Sequence, residues 1–150
     1  MRIKDCMKVK VIYVDEETTI KAAVEILVRN PIGTLPIVDG EMQLIGVVNL
    51  TDIIALVEPD FVNLLEDYGF VRDFGAMEAK KPGEDLLNTP IKSIKRAPFC
   101  VSTDSQLLYT FSRMNSQDLY DIPVVDEVKR LVGIVSRVDV GTLLLGSWLT

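Results

Sequence analysis

The second half of this chain repeats part of the first half. After a shift of 87 residues, positions 14–53 align with positions 101–140 without a gap, and eight of the forty aligned pairs are identical. Seven of those eight pairs fall in the segment from Pro36 to Asp52 and its counterpart. A gapless match concentrated in one short segment indicates that a single structural unit occurs twice.

Each copy shows the same order of predicted elements. A β-rich run opens the copy, and an amphipathic helix follows with Thr18 or Ser105 as its N-cap. Two apolar strands then flank a polar turn that begins at Asp39 or Asp126, which is the pattern of a hairpin. A second helix follows the last strand directly. The predicted opening strands are 10–14 and 97–101, and the predicted second helices are 51–57 and 138–145.

The order strand, helix, strand, strand, helix places the chain in the α/β (α+β) class. A β-α-β-β-α unit of about fifty residues is too small to bury its apolar face alone. We therefore expect the two units to pack through their sheets about a pseudo-twofold axis. The predicted division is 1–57 for the first unit, 58–89 for a connecting insert and 90–150 for the second unit, which together form one compact pair.

The insert 58–89 differs in composition from both units. It holds eight acidic and three basic residues, and its net charge of −5 is most of the net charge of −6 of the whole chain. It also holds four of the ten aromatic residues, so we predict one or two short helices with a break at Lys81-Pro82-Gly83. Two interpretations stay open: the insert packs as a cover over the sheet and helices, or it is a lid or partner surface that selects a basic partner.

Composition excludes several functions. The chain has no histidine, which removes serine and cysteine triads with a histidine base and histidine-ligated zinc sites. A net charge of −6 disfavours nucleic acid and anionic membranes as partners. No apolar run is long enough to cross a bilayer, and the charged start shows no secretory signal. With no secretory signal, we expect a cytoplasmic protein, in which the isolated thiols Cys6 and Cys100 are small packing residues. We expect no metal site, no catalytic cofactor and no enzymatic activity.

The segments with potential chemistry lie where the last strand of each copy meets its second helix. Each strand ends at a small polar residue, Asn49 or Ser136, and an aspartate follows three positions later, Asp52 or Asp139. Such a pair forms a capping box, which satisfies amides at the start of a helix. The same terminus also offers N–H groups to an anion, and an aspartate in a cleft can accept two vicinal ribose hydroxyls. Repetition at two places where the units meet favours a ligand site over a cap alone.

These doubled motifs resemble a known family. The pattern hPVVD, a hairpin, then G-h-h-(S/T)-x-x-D is similar to the cystathionine-β-synthase (CBS) domain, and the two copies resemble the tandem CBS pair, or Bateman module. The resemblance covers all the chain except the insert. It implies a regulatory adenosine ligand (AMP, ADP, ATP or S-adenosylmethionine), modulation of a partner protein, and assembly as a homodimer.

Carried over by position, the resemblance implies two sites. In the better site it implies Asp139 for ribose, with Ser136 and Arg137 for phosphate, while the adenine lies against the opposite copy. The better site comprises Ser136, Arg137, Val138, Asp139, Val11, Ile12, Ile32, Gly33 and Thr34. The weaker site comprises Asn49, Thr51, Asp52, Pro98, Phe99, Leu119, Tyr120 and Asp121.

We expect the Asp139 site to bind nucleotide better than the Asp52 site. The second copy matches the family motif fully, whereas the first copy has Asn49 in place of the hydroxyl residue, and Thr51 offers a hydroxyl nearby. The carboxylate of Asp121 in the weaker site repels phosphate. We therefore expect the Asp52 site to be empty or to hold a less anionic adenosine derivative.

Three functions remain open, in this order. A ligand-sensing module that regulates a partner protein has the junction pattern and needs no catalytic groups. A ligand-free dimerisation or scaffold module would use the same hairpins and caps structurally. An enzyme is third, because the sequence shows no nucleophile–base, paired-carboxylate or phosphate-loop arrangement. The apolar run 140–148 is predicted to lie in the interface of a homodimer.

Overall fold

The computed structural model describes residues 1–57 and 81–150. Both units contain the helices and strands expected of the α/β (α+β) class. The first unit has α1 (Ile20–Arg29), β1 (Thr34–Val38), β2 (Leu44–Asn49) and α2 (Leu50–Ile54). The connection ends with α3 (Glu84–Leu87). The second unit has β3 (Val101–Ser102), α4 (Leu107–Ser116), β4 (Asp121–Val125), β5 (Leu131–Ser136) and α5 (Arg137–Gly146).

The two predicted hairpins are present with the same register. Strands β1 and β2 pair antiparallel, as do β4 and β5, and each pair has an irregularity at the equivalent place near its turn. In each turn the repeated aspartate accepts two backbone N–H bonds: Asp39 Oδ1 from residues 41 and 43, and Asp126 Oδ1 from residues 128 and 130. This Asx geometry explains why the aspartate of the hPVVD segment occurs in both copies.

The two turns also hydrogen-bond to each other. The Leu44 amide donates to the Lys129 carbonyl at 2.9 Å, and the Leu131 amide donates to the Met42 carbonyl at 2.9 Å. Met42 and Lys129 occupy equivalent positions and have φ angles of 65° and 67°, in the left-handed region. The two copies thus share even the backbone conformation of single turn residues. The two units contact each other at these turns, and the reciprocal bonds are those of a pseudo-twofold pair.

The opening strands are shorter than predicted. In the first unit only Val14 bridges a neighbour, by parallel pairing with Ile37, and the rest of 10–14 has no regular structure. In the second unit the strand is reduced to β3, which pairs parallel with β4. Pro98 explains part of the difference, because proline has no N–H to donate to a strand. The first helix of each unit also begins one residue later than predicted, after Thr19 and Gln106.

The leading segment of each unit packs against the other unit. The 3₁₀ turn Ile3–Asp5 places Ile3 in the core of the second unit, where it is fully buried. The 3₁₀ turn Ile91–Ser93 places Ile91, also fully buried, in the core of the first unit. The two segments share the dipeptides Ile3-Lys4 and Ile91-Lys92, which are 88 residues apart. The alignment with a shift of 87 residues therefore does not match them. Each core therefore depends on an isoleucine from the leading segment of the other unit.

The crossed segments continue as short backbone pairings over the last strand of each sheet. The amide and carbonyl of Lys8 exchange hydrogen bonds with Ile134 on β5, each 2.9 Å long. Arg96 exchanges bonds of 2.8 and 3.0 Å with Val47 on β2. A Cβ at Gly133 would lie 3.0 Å from the Lys8 carbonyl oxygen. This close approach explains why the repeated motif begins with glycine.

Part of the connection is covered by the described residues. Residues 58–80 lie outside them, so the predicted helices and the lid or partner surface in that range stay predictions. The break at Lys81-Pro82-Gly83 is followed by α3, whose Leu86 and Leu87 pack against the core of the first unit. Of the helices in the described ranges, none combines the length and the apolar character that crossing a membrane requires.

Substitution of Gly133 by alanine should destabilise the protein. The new methyl group would press on the Lys8 carbonyl and the Met7 sulfur, 3.0 and 3.1 Å away, and overpacking of this kind costs about 1–3 kcal/mol. Chemical denaturation of Gly133→Ala measures the loss of unfolding free energy. Gly40→Ala is the matched control, because no atom lies within 4 Å of its Cβ. Equal stability of the two variants would contradict the close crossing.

Candidate functional site

The strand-to-helix junction of the second unit forms a complete capping box. Ser136 is the N-cap of α5, and its hydroxyl accepts a hydrogen bond from the Asp139 amide at 3.0 Å. The Ser136 amide donates in turn to Asp139 Oδ2 at 3.0 Å. One carboxylate oxygen of Asp139 therefore serves the helix. No hydrogen bond or ion pair within the described residues uses the other oxygen, Oδ1, and the side chain is 21% exposed.

The first cleft, defined here as the cleft that contains Asp139, brings together parts of both units. Its volume is ≈ 120 Å³. Six of the nine residues predicted for the better site line it: Val11, Ile12, Ile32, Thr34, Ser136 and Asp139. Two lysines, Lys8 and Lys10, line it as well, and the Lys8 ammonium lies 3.6 Å from Asp139 Oδ2. The first cleft thus combines an apolar wall, the carboxylates of Asp121 and Asp139 and two basic groups.

Three residues predicted for the better site lie elsewhere. The Arg137 guanidinium donates to the carbonyls of Leu119 and Met114 at 2.8 and 3.2 Å and stacks on the ring of Tyr120 at 4.4 Å. The guanidinium therefore binds carbonyls at the end of α4 instead of being available to a phosphate group. Val138 is 70% exposed on α5. Gly33 does not line the first cleft, although it lies beside Asp121.

The second cleft, defined here as the cleft between Asn49 and Phe99, has a volume of ≈ 220 Å³. Four of the eight residues predicted for the weaker site line it: Asn49, Phe99, Leu119 and Asp121. Arg96 and Thr34 line it as well. Of the other predicted residues, Thr51 is exposed, Asp52 is buried, Pro98 is half-buried and Tyr120 is 64% exposed. The second cleft is the larger one, so any preference for the first cleft depends on its chemical groups rather than on space.

The two junction aspartates differ in what they contact. Asp52 Oδ2 accepts from the Asn49 amide at 2.8 Å, as expected of a cap. Asp52 Oδ1 is bound by Arg96 Nε at 2.6 Å, and the Asp52 side chain is only 6% exposed. Both Asp52 oxygens are therefore occupied, whereas Asp139 lines the first cleft and its Oδ1 has no partner among the described residues.

Thr34 and Asp121 occupy equivalent positions of the two copies, and both line both clefts. Asp121 was predicted for the weaker site alone, and in the structure it lines the first cleft as well as the second. Burial raises the pKa of the Asp121 carboxyl, and the negative charge of Asp139 acts in the same direction. The Gly33 amide and the Lys8 ammonium lower the pKa and partly oppose the rise.

The sequence motifs did not reveal the basic residues of the clefts. Lys8, Lys10 and Arg96 lie before the aligned segments, and only the crossing of the leading segments brings them to the junctions. The available signal was the 88-residue spacing of the Ile-Lys pairs, which aligns Lys8 with Arg96. A larger groove of ≈ 490 Å³ lies around the turn 126–130 and contains none of the predicted site residues.

Replacement of Asp121 by asparagine should stabilise the protein at neutral pH. Because the folded-state pKa of Asp121 is raised, the ionised carboxylate opposes folding above that pKa, and the penalty is lost as pH falls through it. Asparagine removes the charge and keeps an acceptor for the Gly33 amide. Thermal unfolding should show a higher Tm for Asp121→Asn than for wild type at pH 7, with the gap narrowing towards about pH 4.

The control for this comparison is Asp104→Asn, because the Asp104 side chain is 74% exposed and pairs only with the exposed Lys4. The Tm of Asp104→Asn should stay close to that of wild type over the same pH range. An Asp121→Asn variant that is less stable than wild type at pH 7, or a gap independent of pH, would contradict the assigned cause.

A duplicated α/β module with a cleft on each side of its pseudo-twofold axis is the class that this geometry defines. The family model described as "CBS domain" matches residues 3–59 and 91–146. The chain therefore belongs to the CBS domain family, as a pair of CBS domains.

The curated relatives of the chain are longer proteins. The chain is 28% identical over 142 residues to a homoserine O-acetyltransferase of Methanobrevibacter ruminantium, covering 95% of this chain and 24% of that protein. It spans about a quarter to a third of the length of the curated relatives it matches.

Two solved CBS structures share the fold over nearly the whole chain. The CBS domain pair of protein MJ0100, in complex with 5′-methylthioadenosine and S-adenosyl-L-methionine, has a TM-score of 0.71 at 22% identity and covers 98% of each chain. CBSX2 in complex with AMP has a TM-score of 0.73 at 23% identity, again with 98% of each chain covered. At these identities the likeness establishes the fold.

Proposed function

We propose that the chain is a regulatory module that binds an adenosine ligand between its two CBS units and thereby modulates a partner protein. The observation that carries the proposal is Asp139, which lines the first cleft and whose Oδ1 has no hydrogen-bond or ion-pair partner among the described residues. Adenosine ligands in structures of similar fold support the same ligand class.

The first cleft offers a group for each part of such a ligand. Vicinal ribose hydroxyls would donate to Asp139 Oδ1, and a hydrogen bond to a charged acceptor is among the stronger kinds. Val11, Ile12 and Ile32 offer an apolar wall to the adenine. The ammonium groups of Lys8 and Lys10 supply the positive charge that the sequence analysis assigned to Arg137.

The charge of the first cleft favours a ligand of low net charge. Lys8 and Lys10 are opposed there by Asp121 and Asp139, so the four side chains sum to no net charge when all are ionised. A triphosphate would bring several negative charges next to two carboxylates, which repel them. We therefore propose AMP or S-adenosylmethionine as the ligand in preference to ATP, with ADP between them.

Loss of the Asp139 charge should weaken ligand binding. Isothermal titration with AMP and with S-adenosylmethionine should show affinity about tenfold or more lower for Asp139→Asn than for wild type, because a hydrogen bond to a charged group contributes about 1.5–3 kcal/mol. Asparagine keeps an acceptor for the Ser136 amide, so the cap is retained. Asp52→Asn is the matched control at the equivalent junction, and its affinity should stay near that of wild type.

Equal losses in the two variants, or none in Asp139→Asn, would contradict the assignment of the ligand to the first cleft. If none of the adenosine ligands binds wild type, the alternative function gains: a ligand-free dimerisation or scaffold module.

A homodimer is part of the proposal in either case. Large apolar side chains lie exposed on the helices of both units, among them Val28 at 80%, Leu108 at 70% and Trp148 at 78%. Val140 at the start of the predicted interface run is buried within its own chain, so the exposed surface is contributed by the end of that run. Exposed apolar surface of this kind favours burial against a second copy.

Removal of the Trp148 side chain should weaken self-association. Sedimentation velocity of wild type should show a dimer, and Trp148→Ser should shift the distribution towards the monomer at equal protein concentration. Val128→Ser, at an exposed turn position, is the control. A wild-type protein that sediments as a monomer would contradict the proposed dimer.

The cellular role follows from the same features. We propose a cytoplasmic protein, where the free thiols of Cys6 and Cys100 would stay reduced. The chemistry described for the first cleft is binding without reaction, and the transferase activity named for a relative is a property of that longer protein.

A further inference from the structure

The contact between Arg96 and Asp52 is unusual in its partners. Asp52 is almost fully enclosed, with 6% of its side chain exposed, whereas the Arg96 side chain is 67% exposed. Arg96 reaches inward from the crossed segment to bind Asp52 Oδ1 at 2.6 Å. It also lines the second cleft, while Asp52 does not. Arg96 therefore lies between the second cleft and the carboxylate that the cleft would need for ribose.

The equivalent residue in the first cleft behaves differently. Lys8 aligns with Arg96 at the 88-residue spacing, and both pair through their backbones with equivalent strand residues. The Lys8 ammonium lies 3.6 Å from Asp139, on the oxygen that already serves as the cap. Arg96 instead occupies the oxygen that is open in Asp139. The pseudo-twofold pair of basic residues thus leaves one ribose acceptor available and blocks the other.

A second contact closes the polar side of the second cleft. The Thr34 hydroxyl donates to Asn49 Oδ1 at 2.9 Å, so two lining side chains satisfy each other. Ser136, the counterpart of Asn49, has no such contact with Asp121, the counterpart of Thr34, and its hydroxyl caps α5 instead. The Thr34 hydroxyl and Asn49 Oδ1 are therefore paired with each other within the protein.

We propose that Arg96 is an intramolecular latch that keeps the second cleft closed to ribose-containing ligands. This inference rests on the proposed function, because it assumes that a junction aspartate is the ribose acceptor. The N–H groups of a guanidinium point in fixed directions that match a carboxylate, whereas the N–H groups of an ammonium rotate freely. Its stem is exposed, so the latch opens by rotation of one side chain. The wild-type chain then binds one adenosine ligand, in the first cleft, and a chain with the latch removed binds two.

The test is the number of ligands bound per chain, measured by isothermal titration and equilibrium dialysis with AMP and, separately, with S-adenosylmethionine. Arg96→Met removes the guanidinium and keeps an apolar stem. We expect one ligand per chain for wild type and two for Arg96→Met. The double variant Arg96→Met, Asp52→Asn should return to one, because the second acceptor loses its charge. Lys92→Met is the control on the same crossed segment, because it removes only an exposed ion pair with Glu17, and it should stay at one.

Arg96→Lys guards against a folding defect in Arg96→Met, since the buried Asp52 keeps a positive neighbour. A lysine holds the carboxylate less firmly than the guanidinium, so this variant should bind a second ligand more weakly than the first. Near-ultraviolet circular dichroism checks that each variant is folded. With folded protein, one ligand per chain in both Arg96 variants would overturn the latch and leave the proposed function intact.

Two other results are also decisive. If wild type binds two ligands and Arg96→Met binds one, Arg96 is a ligand-binding residue and the latch is wrong. If neither AMP nor S-adenosylmethionine binds any of the variants, the proposed function fails, and the latch fails with it.

Discussion

The structure depends on the exchange of leading segments between the two CBS units. The backbone of Lys8 pairs with Ile134, and the backbone of Arg96 pairs with Val47. The last strand of each sheet is therefore hydrogen-bonded to a segment from the other half of the chain. The exchange brings Ile3 into the second core and explains the repeated glycines beneath the crossing segments. It also carries basic side chains to the junctions where the second helices begin. The cores, the clefts and the charge of the clefts all follow from this single crossing.

The same crossing makes two unlike clefts from one repeated unit. Thr34 and Asp121 occupy equivalent positions, and each lines both clefts. Exact symmetry would place identical side chains there, but one is a hydroxyl and the other is a carboxylate. At the junctions, Asp139 retains an open oxygen, while both oxygens of Asp52 are taken. Duplication supplies the geometry twice, and a few side chains decide that the two copies offer different chemistry. This is the physical basis for assigning the ligand to one side of the module.

Sequence patterns predicted the hairpins and the junctions because those features are local. The repeated aspartate at position 39 closes its own turn within four residues, and Asp139 caps its helix three residues away. The leading segments were not predicted, since their contacts are distant in the sequence, as between Lys8 and Ile134, and their spacing changes from 87 to 88. Arg137 was assigned to phosphate by resemblance, and only the folded chain shows that carbonyls at the end of α4 hold it.

The exchanged isoleucines also affect how the protein is made. During synthesis the first unit emerges without Ile91, the residue that completes its core, and must wait until the chain beyond the connection has left the ribosome. The second core requires Ile3, which is synthesised well before the strands of that core. Contacts of such long sequence separation slow folding. Because each core includes an isoleucine from the other half of the chain, we expect the two halves, produced as separate fragments, to fold only when they are combined.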